Sequence, residues 1–276
     1  MACGGLRSSA MIDPTRDTAI RALSVGRPAM LIQVIHTQGS VPREAGTRML
    51  VSAEAVTGSI GGGHLELQAI RQARTMLANG AAEPHDQHYA LGPSLGQCCG
   101  GALTLRTQVL DAAALGDWPA ATPLFHLQIY GAGHVGRAIA QLLERIPCEV
   151  QWIDERAAEF PTEPSAPHIE RICAEPVAAE VAAATPGSFY LVLTHSHDLD
   201  LGVTHAILQR ADFAYLGLIG SATKRARFVR RLEARGIAPE LLARITCPIG
   251  LPGISGKSPE VIAVAAVAQL LQVAGA

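Results

Sequence analysis

The sequence predicts an α/β protein with a small N-terminal α/β domain followed by a Rossmann-like parallel-sheet domain. A strand-like run, Leu124 to Tyr130, leads directly into the glycine pattern of residues 131–136, and a helix with one apolar face follows. Strand-like and helix-like segments then alternate towards the end of the chain, as they do in a parallel sheet. We place the N-terminal domain at 1–118, a linker at 119–123 and the Rossmann-like domain at 124–276.

Composition excludes several classes of protein. The chain has 49% hydrophobic residues, enough for a sizeable core, and a net charge of −2, which gives no basic surface for nucleic acid. Its six cysteines are too sparse for a disulfide scaffold, and their irregular spacing gives no zinc pattern. Free thiols imply a reducing compartment. No segment has the length and hydrophobicity of a signal peptide or a membrane span. We therefore expect a cytoplasmic globular protein with neither nucleic acid nor membrane as a partner.

Glycines and an arginine in the N-terminal domain indicate an anion site. Gly61, Gly62 and Gly63 precede a helix that we expect to run to about Ala78. The unpaired N–H groups of a helix start bind anions, and glycines allow a ligand to approach the backbone closely. Glu66 lies in the first turn, where a carboxylate also suits the helix dipole. Arg43 lies in a glycine-bounded turn and is either an ordinary surface charge or part of the same site.

Two adjacent thiols form the centre of the predicted site. Gln97, Cys98 and Cys99 are followed by Gly100 and Gly101, just ahead of a predicted strand. A thiolate is a soft ligand for a heavy metal or a sulfur-bearing cofactor, and it is also a nucleophile. The alternative is that both cysteines are small buried hydrophobic residues at a tight turn.

The Rossmann-like domain carries the features of a dinucleotide site. Gly131, Gly133 and Gly136 fit the fingerprint G-x-G-x-x-G, with His134 at the start of the following helix. Asp154 ends the next predicted strand, about 20 residues on, where a ribose-binding carboxylate belongs. Arg156 follows closely and leaves the choice between NAD and NADP open. An NAD(P)-linked oxidoreductase is therefore one alternative function.

A histidine-rich segment follows the predicted strand Phe189 to Leu193. His195, His197 and Asp198 resemble part of the H-x-H-x-D-H motif of metallohydrolases, but the Asp–His pair that the motif requires is absent. A catalytic or ligand-contacting role is favoured over a stable metal site, and a metallohydrolase remains a third alternative. The basic helix predicted at Ser221 to Arg235 is most simply a solvated face, or else a docking surface.

An ordered set of motifs resembles the XdhC/CoxI family, in particular its xanthine dehydrogenase accessory members. The resemblance covers nearly the whole chain from about Thr15. It rests on residues 38–43 (QGSVPR), 58–66, 96–101, 129–134, 194–198, 217–221 and 247–250 (CPIG).

The resemblance implies a cofactor chaperone rather than a catalyst. Members of the family bind the molybdopterin form of the molybdenum cofactor, hold it while a cysteine desulfurase installs the terminal sulfur, and deliver it to apo xanthine dehydrogenase. By position, Cys99 matches the family cysteine before the glycine pair, whereas Cys98 is a position that varies among relatives. Relatives also make a homodimer a reasonable expectation.

Overall fold

A computed structural model describes residues 13–80, 83–91 and 100–275 of the chain. These residues form two compact units, 13–120 and 121–275, each with a sheet of its own. No helix within the described ranges combines the length and the hydrophobicity needed to cross a lipid bilayer.

The first unit is a five-stranded antiparallel sheet with helices packed on it. Its elements are α1 (Pro14–Ser24), β1 (Met30–Gln38), β2 (Arg48–Val51), β3 (Val56–Gly58), α2 (Gly63–Ala78), β4 (His85–Ala90), β5 (Ala102–Val109) and α3 (Ala112–Gly116). The strand order is β3-β2-β1-β5-β4, so β1 lies at the centre and pairs with β2 and β5. The short elements β3 and α3 were not predicted from the sequence.

Local sequence explains where the two long helices of this unit form. Asp13 caps α1 by accepting hydrogen bonds from the N–H groups of Thr15 and Arg16, and Pro14 occupies the first helical position. The helix α2 buries a stripe of small and apolar side chains against alternate residues of the central strand. The core they share includes Leu65, Ala69, Ala73, Met30, Ile32 and Val34.

The second unit is a six-stranded parallel sheet in the order β11-β10-β9-β6-β7-β8. Its elements are β6 (His126–Tyr130), α4 (His134–Leu143), β7 (Glu149–Asp154), β8 (Ile169–Cys173), β9 (Phe189–Val192), α5 (His197–Arg210), β10 (Tyr215–Leu218), α6 (Ala222–Glu233), α7 (Pro239–Ala243), β11 (Ile245–Thr246) and α8 (Pro259–Ala274). This is the doubly wound order of a dinucleotide-binding fold. The predicted fold class is confirmed.

Adjacent residues along each central strand belong to different cores. Ile129, Trp152 and Leu191 lie in a cluster with residues of α4 and α8. Their neighbours Tyr130, Ile153 and Val192 lie in a second cluster with residues of α5 and α6. Successive side chains of a strand point to opposite faces, so both faces of the sheet are covered, as a parallel sheet requires.

The topology fixes where a ligand would meet this sheet. The chain leaves β6 towards β7 on one side and later returns to β9 on the other, so the strand order reverses between β6 and β9. Ligands of such sheets bind outside the carboxyl ends of the strands at this reversal. Between β8 and β9 the chain forms a 3-10 helix, Val177–Ala183, which is too short to gain much from α-helical cooperativity.

Candidate functional site

Segments that the sequence singled out meet in the first unit, at the end of β1. A Cβ atom on Gly101 would lie 2.5 Å from the carbonyl oxygen of Gln38 and 2.4 Å from that of Ser40. A Cβ on Gly39 would lie 3.3 Å from the Cα of Gly101. A real Cβ atom rarely comes this close to backbone atoms, so both positions favour glycine. Gly101 is therefore packed directly on the turn formed by residues 38–40.

The continuation of the same turn contacts the start of α2. A Cβ on Gly61 would lie 2.6 Å from the Cβ of Pro42 and 3.6 Å from the Cγ of Arg43. Residues 38–43 thus contact both the glycine pair and the glycine-rich helix start. Gln97, Cys98 and Cys99 lie outside the described residues, and their predicted role stays a prediction.

A carboxylate of the chain itself occupies part of the α2 helix start. Glu66 Oε2 accepts hydrogen bonds from the Ser59 hydroxyl at 2.6 Å and from the N–H groups of Ile60 and Gly62 at 3.0 Å. Burial alone would raise the pKa of Glu66, but these hydrogen bonds outweigh burial and hold the pKa below its ordinary value of 4.5. Glu66 therefore shapes the loop, and only part of the predicted anion site remains for a ligand.

Replacing Glu66 by glutamine is expected to lower the free energy of unfolding by about 1–2 kcal/mol at neutral pH, because a neutral amide accepts these hydrogen bonds less strongly. The folded-state pKa is depressed, so the carboxylate stabilises the protein above pH 4.5 and loses this effect as the pH falls through the folded value. Urea unfolding at about pH 7 and about pH 4 should show the difference shrinking in acid. Glu44→Gln is the exposed control. An equal loss at both pH values would contradict the role given to the carboxylate.

Arg43 belongs to the turn that contacts the start of α2, and its Cγ would lie 3.6 Å from a Cβ on Gly61. Its side chain is exposed, and within residues 13–80, 83–91 and 100–275 its guanidinium has no hydrogen-bond or ion-pair partner. A Cβ on Gly62 or Gly100 would meet no atom of a described residue within 4 Å, so these residues leave the backbone open at both positions. A cation without a partner in the described ranges, next to a glycine-rich helix start, suits a ligand with an anionic group.

The glycines of the Rossmann unit differ in what surrounds them. A Cβ on Gly131 would lie 2.4 Å from the Leu193 carbonyl oxygen, and one on Gly136 would lie 2.1 Å from the Gly131 carbonyl oxygen. A Cβ on Gly133 would meet nothing within 4 Å in the part of the chain that the structure describes, and the side chains of that part leave α4 uncapped. Gly131 and Gly136 therefore allow close packing of the backbone. At Gly133, next to the exposed His134, the backbone is accessible.

Asp154 has hydrogen-bond donors on both carboxylate oxygens. Oδ1 accepts from the N–H and the Nε of Arg156 at 2.9 and 3.0 Å, and Oδ2 accepts from the N–H of Ala132 at 2.7 Å and Arg156 Nη2 at 3.0 Å. Burial alone would raise the pKa of Asp154, but the Arg156 guanidinium and the two N–H groups together lower it. The carboxylate is 3% exposed.

The histidine-rich segment follows β9, as predicted, but its side chains contact different partners. His195 Nε2 lies 3.5 Å from a Glu155 carboxylate oxygen, and Asp198 lies 3.4 Å from Arg231. His197 is exposed at the first position of α5. Among the described residues, no three His, Cys, Asp or Glu side chains lie close enough to hold a metal ion.

Sequence reasoning missed a buried ion pair at the same edge of the sheet. Lys224 Nζ donates to Asp200 Oδ2 at 2.5 Å and to the Ile219 carbonyl oxygen at 2.8 Å. Asp200 Oδ1 accepts from the N–H and the hydroxyl of Thr194 at 2.9 and 2.7 Å. The pair therefore fixes the loop that carries His195. Its only sequence signal was a lone lysine in a helix otherwise rich in arginine.

Comparison with known proteins identifies relatives of both units. The model of the XdhC Rossmann domain matches residues 127–270, and that of the XdhC and CoxI family matches residues 22–89. The uncharacterized protein YqeB of Escherichia coli K12 is 31% identical over 259 residues, which are 89% of this chain and 43% of that protein. The chain thus spans less than half the length of that relative.

A solved structure shows the same fold. A crystal structure of a xanthine dehydrogenase from Bacillus halodurans superposes with a TM-score of 0.73 at 20% sequence identity, covering 94% of this chain and 95% of that one. At this identity the likeness concerns the fold. The family models, by contrast, match long stretches of both units, which confirms the resemblance inferred from the sequence, and the chain belongs to the XdhC and CoxI family.

Proposed function

We propose that this protein is an accessory factor in xanthine dehydrogenase maturation that binds the molybdenum cofactor in its molybdopterin form. Family membership supports the general role. The observation that carries the cofactor site is the meeting of segments in the first unit, where residues 38–43 contact both the Gly61 turn and Gly101. The cofactor site proposed here thus consists of Arg43, the start of α2 and the two thiols of Cys98 and Cys99.

The chemistry of these residues fits such a ligand. Molybdopterin carries a phosphate at one end, and Arg43, which has no partner among the described residues, can bind it together with N–H groups at the start of α2. Open backbone at Gly62 and Gly100 admits a bulky group. The thiols of Cys98 and Cys99 are the soft donors for the molybdenum end. When bound, the cofactor supplies the molybdenum centre that a recipient enzyme uses.

The partners proposed for this function follow from the same family link. They are apo xanthine dehydrogenase as recipient, a cysteine desulfurase as sulfur donor, and a second copy of this chain. In this proposal the protein holds and transfers the cofactor and turns over no metabolite. Glu66 acts as a positioning residue, because its Oε2 already accepts three hydrogen bonds from the loop.

Cofactor retention tests the proposal directly. Wild-type protein incubated with free molybdopterin and desalted should retain molybdenum, measured by mass spectrometry, and pterin, measured by fluorescence after oxidation. Cys99→Ala should weaken retention about tenfold or more, because it removes a direct ligand. Cys173→Ala, which removes an exposed thiol of the second unit, is the matched control.

A second pair of variants tests the anionic end of the site. Arg43→Ala removes a charge-assisted hydrogen bond to phosphate, so we expect about tenfold weaker retention. Arg71→Ala removes an exposed arginine of α2 and should leave retention unchanged. Full retention by Cys99→Ala and Cys98→Ala would rule out these thiols as ligands, and no retention by wild type would refute the proposal as a whole.

A further inference from the structure

The carboxylate expected to bind a ribose has no free acceptor position. A carboxylate offers about four lone pairs, and a dinucleotide's ribose hydroxyl would need one of them. Three of the four recorded donors to Asp154 belong to Arg156, and the fourth is the N–H of Ala132 in the glycine turn. Arg156 therefore holds the position that a ribose would take.

The charges around Arg156 also disfavour a phosphorylated ribose. Asp154, Glu155 and Glu159 all act on its guanidinium, and Glu159 is shared with Arg137 at 2.6 Å. The three carboxylates and the guanidiniums of Arg137 and Arg156 together carry one net negative charge. A 2′-phosphate would add two negative charges next to these carboxylates, and like charges repel.

A second contact of the chain crosses the glycine turn itself. Glu155 follows β7 and His195 follows β9, and these two strands flank β6 in the sheet. The contact at 3.5 Å between His195 Nε2 and Glu155 must therefore pass across the carboxyl end of β6, where Gly131 begins the turn. A pyrophosphate on that turn would meet this pair.

We propose that the dinucleotide crevice of the Rossmann unit is closed by the chain's own side chains, with Arg156 taking the place of the adenosine ribose and the His195–Glu155 pair lying over the glycine turn. The unit keeps the dinucleotide fold but binds neither NAD nor NADP. Arg156 acts as an internal plug, and its removal reopens the crevice, because Asp154 then has free acceptor positions beside the open backbone at Gly133.

Titration with NADH and NADPH, followed by nucleotide fluorescence and by calorimetry, tests whether Arg156 blocks nucleotide binding. Wild-type protein is expected to bind both with a Kd weaker than about 1 mM. Arg156→Ala should bind NADH at least about tenfold more tightly, since a hydrogen bond to a charged group is worth roughly that factor. Arg145→Ala, which removes an exposed arginine of the same unit, should behave like wild type.

Three results would overturn the proposal. Wild-type binding of NADH below about 0.1 mM would show that the crevice is open, and equally tight binding of NADPH would show that Arg156 serves a 2′-phosphate. A folded Arg156→Ala variant without increased NADH affinity would show that Arg156 is not the plug. If that variant does not fold, as judged by circular dichroism, the wild-type titrations still decide the matter. None of these results bears on molybdopterin retention by the first unit, so the two proposals fail separately.

Discussion

Replacing Lys224 by methionine is expected to lower the free energy of unfolding of the Rossmann unit by about 3–5 kcal/mol, because it leaves the Asp200 carboxylate buried without its counter-ion. The Lys224 side chain is 11% exposed and that of Asp200 is 2% exposed, and their charged atoms lie 2.5 Å apart. The exposed pair of Arg231 and Asp198 offers the matched control. Arg231→Met removes the same charge from the same helix and should cost less than about 1 kcal/mol.

Urea unfolding measures the loss of stability. Hydrogen exchange of peptides from β9 and β10 shows whether the loss lies within the Rossmann unit. Asp200→Asn in the Lys224→Met background should recover part of the stability, because it removes the unpaired charge while keeping an acceptor for Thr194. The stability recovered by the double variant measures the cost of the unpaired charge, and the part not recovered measures the loss of packing. A cost below about 1 kcal/mol for Lys224→Met would show that the Asp200 carboxylate does not need this counter-ion.

Patterns within short stretches of sequence predicted the architecture. The glycine pattern, followed by apolar residues at helical spacing, predicted α4. The strand predicted to end at Asp154 is β7, Glu149–Asp154. The repeated alternation of strands and helices was enough for the fold class, because local periodicity and tertiary topology agree here. The short strand β11, only Ile245 and Thr246, is set by its pairing with β10 and has no periodicity to detect.

The choice of hydrogen-bond partner could not be predicted from such patterns. Asp154 was assigned to a ribose from its spacing, and Glu66 was included in the predicted binding site from its place in the first turn of α2. Each carboxylate instead accepts hydrogen bonds from nearby groups of its own chain. Lys224 was assigned to a solvated face, although its ammonium reaches Asp200, 24 residues earlier. A side chain's partner depends on the distances between neighbouring loops, which residue type and spacing do not contain. The meeting of the 38–43 turn with Gly61 and Gly101 depends on the sheet in the same way.

Replacing Gly136 by alanine is expected to destabilise the Rossmann unit by about 3 kcal/mol, because the added methyl group would overlap backbone. Its Cβ would lie 2.1 Å from the Gly131 carbonyl oxygen and 3.1 Å from the carbonyl carbon, and neither can move without displacing the end of β6. Gly133→Ala is the matched control within the same fingerprint. Its Cβ would meet nothing within 4 Å, so its cost should be about 0.5 kcal/mol.

The comparison of these two alanine variants tests whether the glycine fingerprint serves ligand binding, close packing, or one role at each position. If the pattern served only to admit a ligand, both variants would fold equally well and differ only in binding. The geometry instead gives Gly136 a packing role between α4 and β6 and leaves Gly133 as the position where the backbone is accessible. Thermal unfolding of the two proteins, each against wild type, measures the difference. Equal melting temperatures for Gly136→Ala and wild type would show that α4 can move away from β6, and the close packing of this turn would then be incidental.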